Sequence, residues 1–152
     1  MTDVEAMALA LSEARLATEH DDVPVGAVVL VGTRIVARRH NEREMRRDPT
    51  AHAEILALRD AAGALGTWHL DQAVLVVTLE PCPMCAGAAV LARVRRLVFG
   101  AFDPKSGACG SLYNLCADPR LNHEVDVTRG VSADQAGTLL RSFFANRRQI
   151  LD

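Results

Sequence analysis

The sequence has no apolar run long enough to cross a membrane. Its longest, "VPVGAVVLV" and "PMCAGAAVLA", fall well short of the roughly 18 residues that a spanning helix needs. No basic segment followed by an apolar block stands at the N-terminus, so no secretory signal is expected and a cytoplasmic protein is. Internal repeats, low-complexity tracts and linkers are also lacking, which points to one domain over residues 1–152. Surplus charge is nearly absent. Seventeen Lys and Arg against 19 Asp and Glu leave a net −2, which excludes a globally basic nucleic-acid binder but not a basic patch. Four cysteines could make two disulfides, yet a chain of this size builds a core without staples, so reduced thiols are expected.

What is present has the balance of an ordinary globule, with 49% apolar and 24% charged residues. Basic charge is clustered, however. Residues 34–47, "RIVARRHNEREMRR", hold six arginines against two glutamates, and "RVRR" and "NRR" follow at 93–96 and 146–148. Solvated faces balanced by acidic helices and a phosphate-binding patch explain these clusters equally well.

Local patterns predict alternating strands and helices. Thr2 with Glu5 makes a capping box for a helix over about 2–20. "VPVGAVVLV" reads as a strand buried on both faces, and "RIVARRH" as a strand nearer an edge. A loop at 41–49 leads to a helix from about Thr50 to Ala64. "AVLVVTL" is a second wholly apolar strand, and "CPMCAGAAVLARV" is a helix opening at the cysteines. "RLVFGA" and "HEVDVT" are further strands. Ser132 with Gln135 forms a second capping box, for a helix whose stripe is Ala136, Leu139, Leu140, Phe143 and Phe144. The expected fold is an α/β sandwich, with helices on both faces of a largely parallel five-stranded sheet.

Two short segments carry the chemistry. His52, Cys82 and Cys85 offer one imidazole and two thiolates, a borderline-soft set suited to tetrahedral zinc. Three protein ligands leave a fourth position open, as in a catalytic site, and His40, His69 and His123 are too isolated to close it. Cys82 and Cys85 alone would equally suit a thioredoxin-type redox pair. Glu54, in the first turn of an otherwise apolar helix, turns the metal reading toward catalysis. Beside a metal-activated water a carboxylate can take a proton and pass it to a leaving group. In an ideal helix residues two apart point some 200° apart, so His52 and Glu54 converge only if the first turn is irregular. Cys109 and Cys116 read as small apolar filler.

"HAE" at 52–54 with "PCPMC" at 81–85 fits the His-x-Glu…Pro-Cys-x-x-Cys signature of the zinc nucleobase deaminases. Within that class the chain resembles the bacterial tRNA-specific adenosine deaminases of the cytidine/deoxycytidylate deaminase superfamily. The likeness runs nearly its full length, through "VPVGAVV", "DPTAHAEI.AL", "VTLEPC.MCAGA", "R..VFGA.D.K.GA.GSL", "NH.V.V" and "FF..RR". It implies a cytidine deaminase-like three-layer α/β/α sandwich with a mixed sheet, and one Zn²⁺ per chain on His52, Cys82 and Cys85. The implied reaction is hydrolytic attack at C6 of a flipped adenine with Glu54 as general acid/base, giving inosine and ammonia. The implied substrate is the wobble adenosine of an arginine tRNA anticodon stem-loop, the implied assembly a homodimer, and no organic cofactor is expected. Asn41 matches the family's base-binding asparagine, while Asp103, Lys105 and Ser106 match its loop beside the anticodon. Read from residues alone, Asn41 would be a turn residue and "DPKSG" merely a turn. Phe144 and Arg147 continue the C-terminal stripe, against the RNA loop or with Arg147 snorkelling over the core edge. The nearest rival, free-base guanine deaminase, shares the motifs and even Pro83. The "VFGAFDPKSGACGSL" segment, the terminal "FFANRR" and the arginine-rich loop favour tRNA.

Overall fold

The computed structural model describes residues 1–151. Helix α1 spans Asp3–Ala17 and runs into a 3₁₀ turn at Thr18–His20. Its capping box is formed as expected, with Thr2 Oγ1 accepting from the Glu5 amide and Glu5 Oε2 accepting from the Thr2 amide. Strands β1 (Gly26–Val31) and β2 (Arg34–His40) follow, then the one-turn helix α2 (Arg43–Arg46), which lies within the stretch expected to be loop. Helix α3 (Ala53–Leu65), β3 (Ala73–Leu79), α4 (Pro83–Leu91) and β4 (Arg96–Ala101) carry the middle of the chain. The short β5 (Asp126–Thr128) and the long α5 (Ala133–Leu151) close it.

The five strands form one sheet in the order β2-β1-β3-β4-β5. β1 pairs antiparallel with β2 and β3, while β3–β4 and β4–β5 are parallel. Alternation along the strands feeds two cores. Ala27, Val29, Leu75, Val77, Leu97 and Phe99 face α3 and α4. Val28, Leu30, Val76 and Val98 face α1 and α5, where Met7, Ala10, Leu11 and Ala136 meet them. Both faces are covered, which is why these strands read as unbroken apolar runs. Gly26 marks the closest approach, since a Cβ there would come within 2.0 Å of the Ala10 carbonyl oxygen on α1.

The second capping box does not form. Ser132 has φ 54°, a left-handed conformation rather than the extended one an N-cap needs. The sheet direction places the ends of β2, β3 and β4 and the start of β1 along one edge. Residues leaving that edge build the site, as expected for the carboxyl ends of parallel strands in an α/β fold.

Candidate active site

Two helix starts meet at this edge. His52 is the N-cap of α3 and stands in an extended conformation at φ −74°, ψ 149°, so helical rotation begins only at Ala53. This is the irregular first turn that lets the imidazole and the Glu54 carboxyl face one cleft. The capping duty that His52 leaves undone falls to Asn41. Its Oδ1 accepts from the Ala53 amide at 2.8 Å and its Nδ2 donates to the Val23 carbonyl at 3.0 Å. Cys82 is likewise an extended N-cap, of α4, with Pro83 in the first helical turn where a missing N–H costs nothing. Cys85 follows inside the helix, fully buried.

His52 Nδ1 lies 3.4 Å from Cys85 Sγ and 3.7 Å from Cys82 Sγ. One ligand atom from each of the three residues falls within 4.8 Å of the others. The hydrogen bond from Cys85 pulls the Cys82 thiol down to about 4, against burial and aided by His52. The same bond, together with burial, pushes the Cys85 thiol up. Burial and the shared hydrogen bond thus disfavour a second thiolate at Cys85, a deficit that a cation among the three donor atoms would offset. A soft donor set with that deficit fits zinc.

Glu54 is 4% exposed, and burial raises its pKa above the usual carboxylate range. It sits in a cleft of about 470 Å³ lined also by Asn41, Arg43, His52, Glu80, Cys82, Phe102, Asp103, Lys105, Ser106, Leu140 and Phe144. Nearly every residue singled out from the sequence is thus brought together, with Cys85 buried beneath the opening. Arg147 is not among them. Its guanidinium bonds the Asp21 carbonyl at 3.2 Å, pairs with the Asp21 carboxylate at 3.3 Å and lies over the Phe143 ring. Much of the basic run at 34–47 is also committed within the chain. Arg39 binds Glu42 and Asp60, Arg46 binds Glu42, and Arg38 pairs with Glu13. Arg43 has no ion-pair partner among the described residues and lines the cleft.

Arg43, Phe102 and, above all, Glu80 also line the cleft, although no sequence motif singles them out. The signal for Glu80 was available, for it is the acidic residue that closes the apolar strand "AVLVVTL", as conspicuous there as Glu54 is in its helix. The residue is 2% exposed, and its carboxylate accepts from the amides of Asp103, Cys109 and Ser111 and from the Ser111 hydroxyl. Burial opposes ionisation, but the Ser111 hydroxyl and the three amides together hold its pKa below the usual value.

Residues 1–148 match the family described as MafB19-like deaminase. A tRNA-specific adenosine deaminase of Bacillus subtilis is 51% identical over 140 residues, covering 92% of this chain and 87% of that protein. The chain belongs to the tRNA-specific adenosine deaminase family. A solved tRNA:A34 deaminase, studied for A-to-I editing at the wobble position, superposes with a TM-score of 0.86 at 46% identity. It covers 90% of this chain and 99% of its own. A guanine deaminase from Nitrosomonas europaea matches with a TM-score of 0.82 at 29% identity, over 93% of this chain and 84% of its own. Family membership makes the chain a hydrolytic deaminase. Among the described residues no helix is long and apolar enough to cross a membrane.

Proposed function

We propose that this deaminase converts adenosine to inosine at the wobble position of a tRNA anticodon, with an arginine tRNA as substrate. The observation that carries the reading is the placement of one buried carboxyl, Glu54, in the same cleft as an imidazole and two thiols that fit zinc. His52, Cys82 and Cys85 would hold the ion, and when bound it would supply Lewis-acid activation of water, lowering that water's pKa from about 15.7 to about 7.

Glu54 accepts a proton from the attacking water as the oxygen adds to C6 of adenine. It then returns the proton to the departing nitrogen, so that the C6–N6 bond breaks and ammonia leaves. Such a shuttle contributes roughly 10²–10⁴ in rate, about 3–5 kcal/mol of barrier. The base must leave its stack to reach this depth, as for other enzymes that act on a base. Asn41 keeps one amide hydrogen and one lone pair beyond those used by the backbone, enough to meet a purine edge. Asp103, Lys105 and Ser106 line the same cleft. Phe144, 43% exposed at the rim, offers a ring on which a neighbouring base can stack.

The assembly we infer is a homodimer. Trp68 and Leu91 are 61% and 70% exposed, and with Ile55, Leu58 and Ala88 they line an apolar groove between α3 and α4. An exposed apolar face of this kind suits a second copy of the chain. A tRNA substrate implies a cytoplasmic enzyme.

The test is to incubate zinc-loaded protein with an anticodon stem-loop and sequence the cDNA, where A-to-I conversion reads as A-to-G. The guanine deaminase reading has Pro83 and the 29%-identical structure in its favour. Turnover of free guanine with no editing of the stem-loop would establish that reading instead.

A further inference from the structure

Glu80 is the last residue before Pro81 and Cys82, and its side chain is the hub of the loop that walls the cleft. Oε1 accepts from the Asp103 amide at 3.0 Å and from the Ser111 hydroxyl at 2.5 Å. Oε2 accepts from the Cys109 amide at 3.1 Å and the Ser111 amide at 3.0 Å. One residue along, the Pro81 carbonyl accepts from the Ala108 amide at 2.8 Å. Gly107 closes over the carboxylate so tightly that a Cβ there would come within 2.3 Å of both Cδ and Oε2. The loop's outer residues are held in turn, because Asp103 Oδ1 accepts from the amides of Lys105 and Ser106 at 3.1 Å each.

Glu80 has no ion-pair partner among the described residues, so its buried charge rests on hydrogen bonds alone. A carboxylate is acceptor-only, with about four lone-pair directions, and here four donors meet it. An amide in its place would turn two hydrogens toward donors and leave part of the fan unsatisfied, each buried group costing about 1–3 kcal/mol. That arrangement ties a wall facing the substrate to the segment that carries Cys82.

We propose that Glu80 is a positioning residue: it fixes the Asp103–Ser106 wall relative to Cys82 and thereby sets affinity for the RNA loop rather than the rate of the chemical step. This inference rests on the RNA-deaminase reading above. The experiment compares wild type, Glu80→Gln and Gly107→Ala, all zinc-loaded, on an anticodon stem-loop. Gly107→Ala leaves Glu80 chemically intact and pushes the loop off it, which guards against a fold defect peculiar to the first variant. Both should raise KM and the Kd of the stem-loop about tenfold while kcat per bound zinc stays within about threefold. Hydrogen exchange adds a readout without RNA: the amides of Asp103, Cys109 and Ser111 should lose protection in Glu80→Gln, while those of Leu75–Val77 in β3 keep theirs. A KM and Kd within about twofold of wild type in both variants would overturn the inference. So would a fall in kcat equal to the fall in kcat/KM. Absence of stem-loop editing by wild type would overturn the RNA reading itself, a result distinct from either.

Discussion

Two cysteine pairs lie within this chain, and their surroundings set them apart more than their sulfurs do. Cys82 and Cys85 stand at the start of α4 with the His52 imidazole against both, Cys82 being half-buried at the floor of the cleft. Cys109 and Cys116 approach to 3.9 Å between sulfurs, are fully buried, and sit in the core cluster beneath α3 and α4. No imidazole completes a ligand set there among the described residues. Proximity of thiols therefore does not define a metal site. A third donor and a route from solvent distinguish a candidate site, and among the described residues the first of these two pairs has both.

The largest expected effect breaks the first pair. Cys82→Ala should remove tight zinc binding and with it all measurable deamination, because two protein ligands cannot hold the ion. Elemental analysis of desalted protein decides it: a full equivalent of zinc in the variant would refute the ligand assignment. Next comes Glu54→Gln, expected to keep zinc near one equivalent and lose roughly 10²–10⁴ in kcat. A variant retaining a tenth of the wild-type rate would take the proton shuttle away from Glu54. The two results separate holding the ion from moving the proton.

How much of this was legible in the sequence follows from what kind of order each feature needs. The candidate ligands His52, Cys82 and Cys85 and the candidate acid Glu54 stand out by residue type and spacing, since zinc binding and proton transfer would constrain both, and the structure gathers them at one cleft. Element positions came from apolar runs, which record burial on two faces. Those runs do not record direction: β1 is as apolar as β3 yet antiparallel to both neighbours. The convergence of His52 and Glu54 depends on one ψ angle at the N-cap, below the reach of any spacing argument. Asn41 was already a candidate by resemblance, but its bridging bonds needed coordinates, because they join Val23 and Ala53, segments far apart in the chain. Ser132 shows the opposite error, a capping-box pattern made inoperative by a left-handed backbone.

A smaller effect is expected at the second pair. Cys109→Ala with Cys116→Ala should leave zinc and kcat unchanged and cost about 1–3 kcal/mol of stability, the usual penalty for disturbing a packed interior. The companion measurement is alkylation of native, chelator-treated protein. Cys82 should react first and the buried pair only on unfolding, so early labelling of Cys109 or Cys116 would contradict their burial.

The smallest effects separate neighbouring arginines at the end of α5. Arg147 is held by Asp21 and by the Phe143 ring, whereas Arg148 is exposed. The Arg147–Asp21 pair is solvent-accessible, with side chains 40% and 74% exposed, so the bond is worth at most about 1 kcal/mol. Arg147→Ala should accordingly lower Tm by a few degrees at most and act on RNA only by loosening the Phe144 rim. Arg148→Ala should leave Tm unchanged and, by removing one phosphate contact, reduce the salt slope of stem-loop binding by about 0.7–0.9 in log K per log salt. Binding isotherms at several salt concentrations distinguish the two. A slope change with Arg147→Ala alone would mean that RNA draws this arginine off Asp21, making it the phosphate contact. An unchanged slope in the double variant would remove the end of α5 from the RNA surface.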